Sequence, residues 1–288
     1  MLAIGKIVPQ ISRDFDRYWN SPSAYPADQI VGDADSGEPI AAALDRFRHT
    51  PQMSSYQERV KRSGLVDDLA TGKLDLEWTT ASLVSDDPAK GQGALERRDL
   101  LTGHLKAAVG EIAHRFDGVS PYFVPGNEGV EAFTQLEQRS VEVRMLTNSL
   151  AATDVLPVHA GYASRREDLL EQGIELFELR PHAVPNAPTD TLGPFGSSGA
   201  SLHAKTFAVD GERIFIGSFN FDPRSARLNT EMGLLIHSEH MAKGLHQVFD
   251  NGLGESSCAR AIWSGSIQTP RRRPPGRKSR ATAFGKAR

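Results

Sequence analysis

Residues 201–220 read SLHAKTFAVDGERIFIGSFN, and this stretch decides the prediction of the fold. Asp210-Gly211 stands between two runs rich in β-forming residues. Such a dipeptide is typical of a tight hairpin turn, because both of its positions tolerate positive φ angles. On a strand, alternate side chains point to the same face. His203 and Lys205 are therefore expected to point toward one spot at the start of the hairpin.

The side chains of this segment suit the chemistry of a phosphodiester. Lys205 can neutralise a non-bridging phosphate oxygen as negative charge develops on it. His203 can attack phosphorus or donate a proton to the leaving alcohol. Gly217 is small enough to let the chain approach an anion, and after it Ser218 and Asn220 can donate hydrogen bonds to the phosphate.

Two carboxylates belong to the same set of candidate catalytic residues. Glu231 is expected to accept a hydrogen bond from the far imidazole nitrogen of His203, which would fix the tautomer and raise the basicity of the ring. Asp210 is expected to organise the hairpin turn rather than to contact phosphorus. The sequence contains no metal-ligand spacing, and this chemistry requires neither a metal nor another cofactor.

Three short patterns stand in order, HxK(x)4D at 203–210, GSxN at 217–220 and NxE at 229–231, and together they resemble the signature of the phospholipase D superfamily. Similarity to bacterial cardiolipin synthases with two repeats extends to FDRYWNS at 15–21, PYFVPG at 121–126 and VRMLTNSLAATD at 143–154. The resemblance is to the C-terminal half of such a protein. It implies a phosphatidyltransferase or phosphodiesterase acting on phosphatidylglycerol or a related phospholipid. Asn148, Asp154 and His159 are candidates for lining the pocket or for structural roles.

The resemblance also implies a mechanism that needs two HKD motifs in one active site. One histidine forms a covalent phosphohistidine, while the other protonates the departing alcohol and then activates the incoming one. The nucleophile is usually assigned to the first motif, which makes His203 the general acid and base. Since this sequence holds one motif, a homodimer or a missing N-terminal half would complete the site. The alternatives are a homodimeric phosphodiesterase or nuclease, and an inactive fragment.

The alternation of patterns predicts an α/β fold, with a phospholipase D-like domain over residues 95–255 and a mixed, mainly parallel sheet flanked by helices. Residues 95–116 are expected to form one amphipathic helix. Because His104 and Lys106 lie inside it, their HxK spacing is interpreted as coincidence. Further helices are predicted at 128–138, 162–172 and 239–250, and strands at 120–124, 141–147, 174–179 and 230–236.

Two regions flank the predicted domain. Residues 1–94 are expected to be a mostly helical remnant that follows the first repeat, with Ile11, Phe15, Tyr18 and Trp19 packing in a core from one helix face. Lys90, in this region, is interpreted as a solvated loop lysine. Residues 256–288 are basic and rich in proline, and they are expected to be disordered.

Composition restricts the class of partner. The formal net charge is −3, but residues 271–288 hold eight Lys/Arg and no acid, so the other 270 residues carry 25 basic and 36 acidic side chains. This acidic excess argues against general nucleic-acid binding. The single cysteine, Cys258, excludes an internal disulfide and fits a reducing compartment. Because no apolar run is long enough to span a membrane, the expected location is cytoplasmic, with peripheral contact at the inner membrane.

Overall fold

The computed structural model describes residues 1–30, 40–62, 64–93, 95–179, 202–251 and 258–260. Its helices are α1 (Val8–Trp19), α2 (Ala27–Ile30), α3 (Ile40–Arg48), α4 (Pro51–Arg62), α5 (Leu65–Thr71), α6 (Leu101–Val109), α7 (Gly126–Gln138), α8 (Leu156–Glu171), α9 (Pro223–Arg227) and α10 (Glu239–Asp250). Its strands are β1 (Ala81–Ser85), β2 (Arg115–Val119), β3 (Glu142–Asn148), β4 (Glu175–Leu179), β5 (Thr206–Val209), β6 (Arg213–Gly217), β7 (Met232–Ile236) and β8 (Cys258–Arg260).

Within these residues, eight strands form one sheet in the order β1-β7-β6-β5-β2-β3-β4-β8. The pairs β2–β3 and β3–β4 are parallel, whereas the other five neighbouring pairs are antiparallel. The predicted mixed sheet flanked by helices is confirmed, but the prediction that it is mainly parallel is wrong. Parallel neighbours require a crossover connection, which α7 and α8 provide, while the tight turn between β5 and β6 reverses the chain.

The region 95–124 folds differently from its prediction. The helix α6 ends at Val109 because Gly110 follows it with a positive φ of 68°. Phe116, expected on that helix, lies in β2 at the centre of the sheet. The strand predicted at 120–124 is also wrong, since these residues follow β2. Periodicity alone does not separate a helix from a strand where an apolar run is short.

The other predicted elements of the domain lie close to their expected positions. The helices α7, α8 and α10 and the strands β3, β4 and β7 correspond to predicted elements, and α10 has the predicted bounds. His104 and Lys106 lie within α6, as expected. Most of the tail 256–288 lies outside the described residues, and β8 occupies 258–260 within it.

The sheet carries an apolar core on each face. Along β5 the side chains alternate: Phe207 and Val209 belong to the larger cluster, with α6, α7 and α8, and Ala208 belongs to the smaller cluster, with α1 and α10. This alternation follows from the pleat of a strand that is covered on both sides.

The N-terminal region is mostly helical through α1 to α5, as predicted, but it also contributes β1, which pairs with β7. The core role predicted for α1 is wrong for two of its aromatic residues. Ile11 packs on the smaller cluster, whereas Phe15 and Trp19 stack on each other 5.9 Å apart and are 61% and 70% exposed. The domain boundary at residue 95 stays a prediction.

Candidate active site

The structure brings His203 and Lys205 together, although not on a strand. Both lie in the segment directly before β5, which begins at Thr206. The Nζ atom of Lys205 lies 3.4 Å from Nε2 of His203 and donates a hydrogen bond to the His203 carbonyl at 3.0 Å. The imidazole is exposed. The ammonium and the ring can therefore approach the same small anion.

The segment before His203 is held by the end of β3. Oδ1 of Asn148 accepts a hydrogen bond from the Leu202 N–H at 2.9 Å, and Nδ2 of Asn148 donates one to the Leu202 carbonyl at 3.2 Å. Asn148 is buried. Because both main-chain groups of the preceding residue are bound, the position of His203 depends on this side chain.

Asn220 and Ser218 differ in what they can offer a phosphate. Asn220 is buried, and its Oδ1 lies 3.5 Å from the Ser120 hydroxyl, which orients the amide. The Ser218 hydroxyl accepts a hydrogen bond from the Met232 N–H at 3.0 Å and donates one to the Met232 carbonyl at 3.2 Å. Ser218 is therefore engaged with β7, while Asn220 keeps an amide that can donate.

Glu231 lies at the entry to β7 and is buried. Its carboxylate is near enough to Lys205 to act on the pKa of that ammonium group. Among the described residues, no hydrogen bond joins Glu231 to His203, so the predicted contact with the imidazole stays a prediction.

Burial and nearby carboxylates have opposite effects on the pKa of Lys205. Burial lowers the pKa of the Lys205 ammonium group from its ordinary value, while the carboxylates of Glu231, Asp154 and Asp222 counteract that shift. Asp222 also accepts hydrogen bonds from two N–H groups at the start of α9. One lysine thus faces three carboxylates, and a phosphate bound here would gain from further positive charge.

Asp210 lies at the other end of β5, at the turn into β6, with a positive φ of 54°. It lies seven positions after His203, about 23 Å along an extended chain. Its carboxylate accepts hydrogen bonds from the N–H groups of Ala113, His114 and Arg115. Burial opposes the shift, but these N–H groups and Arg213 together lower the pKa of Asp210. The geometry agrees with a role in organising the hairpin.

Lys90 is not the solvated loop lysine that was expected. It is 2% exposed, and its Nζ atom lies 2.6 Å from Oδ2 of the fully buried Asp86. The fold encloses Lys90 because the short helix Pro88–Gln92 directs its side chain to α9, where the Ser225 carbonyl accepts a second hydrogen bond at 2.8 Å. The four-residue spacing of Asp86 and Lys90 was the available signal for this pair.

The remaining two candidates have different surroundings. Asp154 accepts hydrogen bonds from the Tyr122 hydroxyl at 3.0 and 2.9 Å. Burial, and after it the carboxylate of Asp154, raises the pKa of Tyr122 to about 12. His159 packs edge-on against Tyr162 at 5.6 Å, and burial lowers the pKa of its imidazole. Asp154 is therefore held by Tyr122 and also acts on the pKa of Lys205, whereas the packing of His159 favours a structural role.

A groove of about 1070 Å³ opens on the sheet face that carries α6 and α7. Asp222 is one of the residues that line this groove, whereas His203, Lys205, Ser218, Asn220 and Glu231 do not line it. Its floor is aromatic and consists of Phe116, Phe133, Phe207, Phe219 and Phe221.

In the part of the chain that the structure describes, no group of three or more His, Cys, Asp or Glu side chains has the arrangement of a metal site. No helix in the same residues combines the length and the apolar character that crossing a membrane requires.

Comparison with known proteins agrees with this geometry. A family profile described as "Cardiolipin synthase, PLD-like domain" matches residues 104–253. The chain is 43% identical over 251 residues to "Cardiolipin synthase C" of Escherichia coli strain K12, an alignment that covers 86% of this chain and 53% of the relative. It is 29% identical over 170 residues to "Cardiolipin synthase A" of Cronobacter sakazakii, covering 58% of this chain and 30% of the relative. The chain therefore spans about half the length, or less, of these curated relatives.

A solved structure with a similar fold is the phosphatidylserine synthase of Haemophilus influenzae Rd KW20. The TM-score is 0.50 at 15% sequence identity, with 89% of this chain and 53% of that chain covered. At this identity the likeness concerns the fold alone. The family profile matches more than half of the chain, so the resemblance seen in the HxK(x)4D segment is confirmed. The chain belongs to the cardiolipin synthase PLD-like domain family of the phospholipase D superfamily.

Proposed function

We propose that this chain contributes one half-site of a phospholipase D-type enzyme that transfers a phosphatidyl group or hydrolyses a phospholipid. His203, Lys205 and Asn220 would bind the phosphate, with Ser218 supporting that loop and Glu231 acting on His203. The observation that carries the proposal is the 3.4 Å separation between Nε2 of His203 and Nζ of Lys205 in the segment directly before β5, where the imidazole is exposed. The identity to a cardiolipin synthase supports phosphatidylglycerol or a similar lipid as substrate.

The proposed reaction has two steps through a phosphohistidine. First, an imidazole nitrogen attacks phosphorus, the bond to the leaving alcohol oxygen breaks, and a second imidazolium gives its proton to that oxygen. Next, the acceptor alcohol or water gives its proton to the second imidazole, and its oxygen displaces the histidine nitrogen from phosphorus. His203 would be the acid and base of this pair, and Lys205 would neutralise a non-bridging oxygen. Asp210 would organise the hairpin turn and would not contact phosphorus.

A second half-site would complete the reaction. Lys205 faces the carboxylates of Glu231, Asp154 and Asp222, so a further histidine and lysine would favour the binding of a phosphate anion. A second copy of this chain would supply them by two-fold symmetry. An N-terminal half of a longer protein, of the length that the curated relatives have, would do the same.

The groove favours a lipid over a nucleic acid. Its floor of phenylalanine side chains offers apolar surface to an acyl chain. A nucleic acid would meet the acidic excess of the chain outside residues 271–288. We place the activity at the cytoplasmic face of the inner membrane, with peripheral contact between the protein and the lipid surface.

The test uses purified protein and phosphatidylglycerol vesicles, with the transfer and hydrolysis products measured by mass spectrometry. Wild type is compared with His203→Ala and with His240→Ala, a matched control on the exposed surface of α10. The mass in solution is recorded by light scattering on the same samples. The expected result is activity that disappears in His203→Ala and persists in His240→Ala.

Each other outcome contradicts a part of the proposal. Activity retained in His203→Ala would remove His203 from the mechanism. Cleavage of DNA without turnover of lipid would favour a homodimeric nuclease. A folded monomer with no activity on either substrate would identify an inactive fragment.

A further inference from the structure

Glu231 is held in place by residues that lie outside the proposed catalytic set. Its N–H donates a hydrogen bond to Oδ2 of Asp86 at 3.0 Å, and its carbonyl accepts one from the Asp86 N–H at 2.9 Å. Both main-chain groups of Glu231 therefore form hydrogen bonds with Asp86, which is fully buried. The side chain of Glu231 is then set by the position of Asp86.

Asp86 is held in turn by Lys90 and by α6. Its Oδ2 atom lies 2.6 Å from Nζ of Lys90, and its Oδ1 atom accepts the Leu101 N–H at 2.7 Å. Lys90 donates its second hydrogen bond to the carbonyl of Ser225, on α9. The pair thus joins the end of β1, the start of α6, α9 and the entry to β7 at one buried point.

We propose that the Asp86–Lys90 ion pair is a positioning device that aims the Glu231 carboxylate at the Lys205–His203 pair. This proposal rests on the proposed function, because Glu231 belongs to the catalytic set named there. Asp86 and Lys90 are positioning residues, since they act through the main chain of Glu231 and contact neither His203 nor Lys205 among the described residues.

The chemistry of the pair explains why charged residues stand here. Asp86 uses both carboxylate oxygens, one for Leu101 and the other for Glu231, and an asparagine has a single acceptor oxygen. Burial of the carboxylate without a counter-ion is costly, and Lys90 supplies the counter-ion. A buried ion pair contributes little net stability compared with apolar side chains of similar size, so its value here lies in fixing one geometry.

The family profile begins at residue 104, after both residues. The strand β1 belongs to the sheet, and Asp86 and Lys90 support Glu231. The functional unit therefore extends toward the N-terminus beyond the matched domain. Residues of the preceding helical region are thereby part of the site.

The test measures the pKa of Lys205 directly, in a way that does not depend on turnover. Lysine side chains are labelled by reductive ¹³C-methylation and followed by NMR across a pH titration, with the signal assigned through Lys205→Arg. His203 and the carboxylates of Glu231, Asp154 and Asp222 surround this group, and of these carboxylates Glu231 has the largest effect on it. Glu231→Gln is the reference variant, and it is expected to lower the pKa of Lys205.

The decisive variant is the double substitution Asp86→Asn with Lys90→Met, which removes both charges and leaves no lone buried ion. The direct charge effects on Lys205 then cancel, so a lower pKa reports movement of Glu231. Lys90→Met alone is a further test, because loss of the positive charge of Lys90 would by itself raise the pKa of Lys205. A lower pKa of Lys205 in this variant would therefore also report movement of Glu231. Lys243→Met is the matched control, since Lys243 and Glu239 have the same spacing and the same 2.6 Å distance on the surface.

The expected result is a fall in the pKa of Lys205 in the double variant, similar to that in Glu231→Gln, and no change in Lys243→Met. In lipid turnover, kcat should fall on the order of 10- to 100-fold while KM stays within about twofold. Combining the double variant with Glu231→Gln should add little further loss, because the same carboxylate is affected.

A folded double variant that keeps the wild-type pKa of Lys205, while Glu231→Gln lowers it, would overturn the proposal. Additive losses in kcat would also overturn it. Inactive wild-type protein would contradict the proposed function alone, since the titration of Lys205 would still decide whether Asp86 and Lys90 position Glu231.

Discussion

Asn148 and Leu202 form a reciprocal pair of hydrogen bonds, in which the amide of the asparagine binds both main-chain groups of the leucine at 2.9 and 3.2 Å. The pair connects the end of β3 to the residue next to His203. A parallel strand at the middle of the sheet thereby fixes a segment that has no strand partner of its own at that point.

Replacing Asn148 should loosen this segment. In Asn148→Ala, two main-chain groups lose their partners, which we expect to cost about 1–3 kcal/mol of the free energy of unfolding. Lipid turnover should fall by about tenfold or more, because His203 is no longer held beside Lys205. Chemical denaturation and the vesicle assay measure the two effects. Ser149→Ala is the matched control, since the hydroxyl of Ser149 is buried without a partner in the described structure. Equal activity in Asn148→Ala and Ser149→Ala would contradict the positioning role.

Replacing Asp210 should lower the free energy of unfolding and leave the catalytic reaction unchanged. Asp210→Asn loses the charge that three N–H groups and Arg213 stabilise, and we expect a loss of about 1–3 kcal/mol. The folded pKa of Asp210 is lowered, so its contribution is complete above the unfolded value of 3.8 and is lost as the pH falls through the lower folded value. Urea unfolding from pH 7 to pH 3 should show the gap between wild type and variant closing below about pH 4. A gap that widens in acid would refute this assignment.

Breaking the buried ion pair between Arg144 and Asp117 should cause a large loss in the free energy of unfolding. Arg144 donates to both carboxylate oxygens of Asp117 at 2.6 and 2.5 Å, and both residues are buried. Arg144→Met leaves Asp117 without this partner, and we expect a loss of about 3–5 kcal/mol. Arg165→Met, which removes an exposed pair with Asp168, should cost less than about 1 kcal/mol. Urea unfolding measures both variants. Similar losses in their free energies of unfolding would show that the buried pair contributes no more to stability than the exposed one.

The hydroxyl of Tyr122 should report on the carboxylates near Lys205. It is expected to ionise near pH 12, because burial and then Asp154 raise its pKa. Asp154→Asn removes the charge and should lower that pKa, while burial keeps it above the ordinary value of 10.0. Phenolate absorbance after rapid mixing into alkali measures the change, with Tyr122→Phe used to subtract the other tyrosines. An unchanged titration in Asp154→Asn would exclude Asp154 as a cause.

The features that could be predicted are those that short segments of the chain encode. The Asp210-Gly211 turn, the helices α7 and α10, and the approach of His203 to Lys205 follow from turn chemistry, periodicity and a spacing of two residues. The family signature is local for the same reason, since most of its residues lie within one hairpin and its loops. The association of Asp210 with the hairpin rather than with phosphorus was predicted on the same grounds.

The features that could not be predicted depend on partners distant along the chain. The burial of Lys90 requires Ser225 on α9, and the position of β1 in the sheet requires β7. The direction of the strand pairs depends on which strands become neighbours, which local pattern does not encode. By itself the sequence determined the candidate catalytic residues and the hairpin that follows His203 and Lys205, because adjacent residues carry that information. Tertiary structure alone decided which groups support them, because a buried charge acquires its partner only when distant segments pack together.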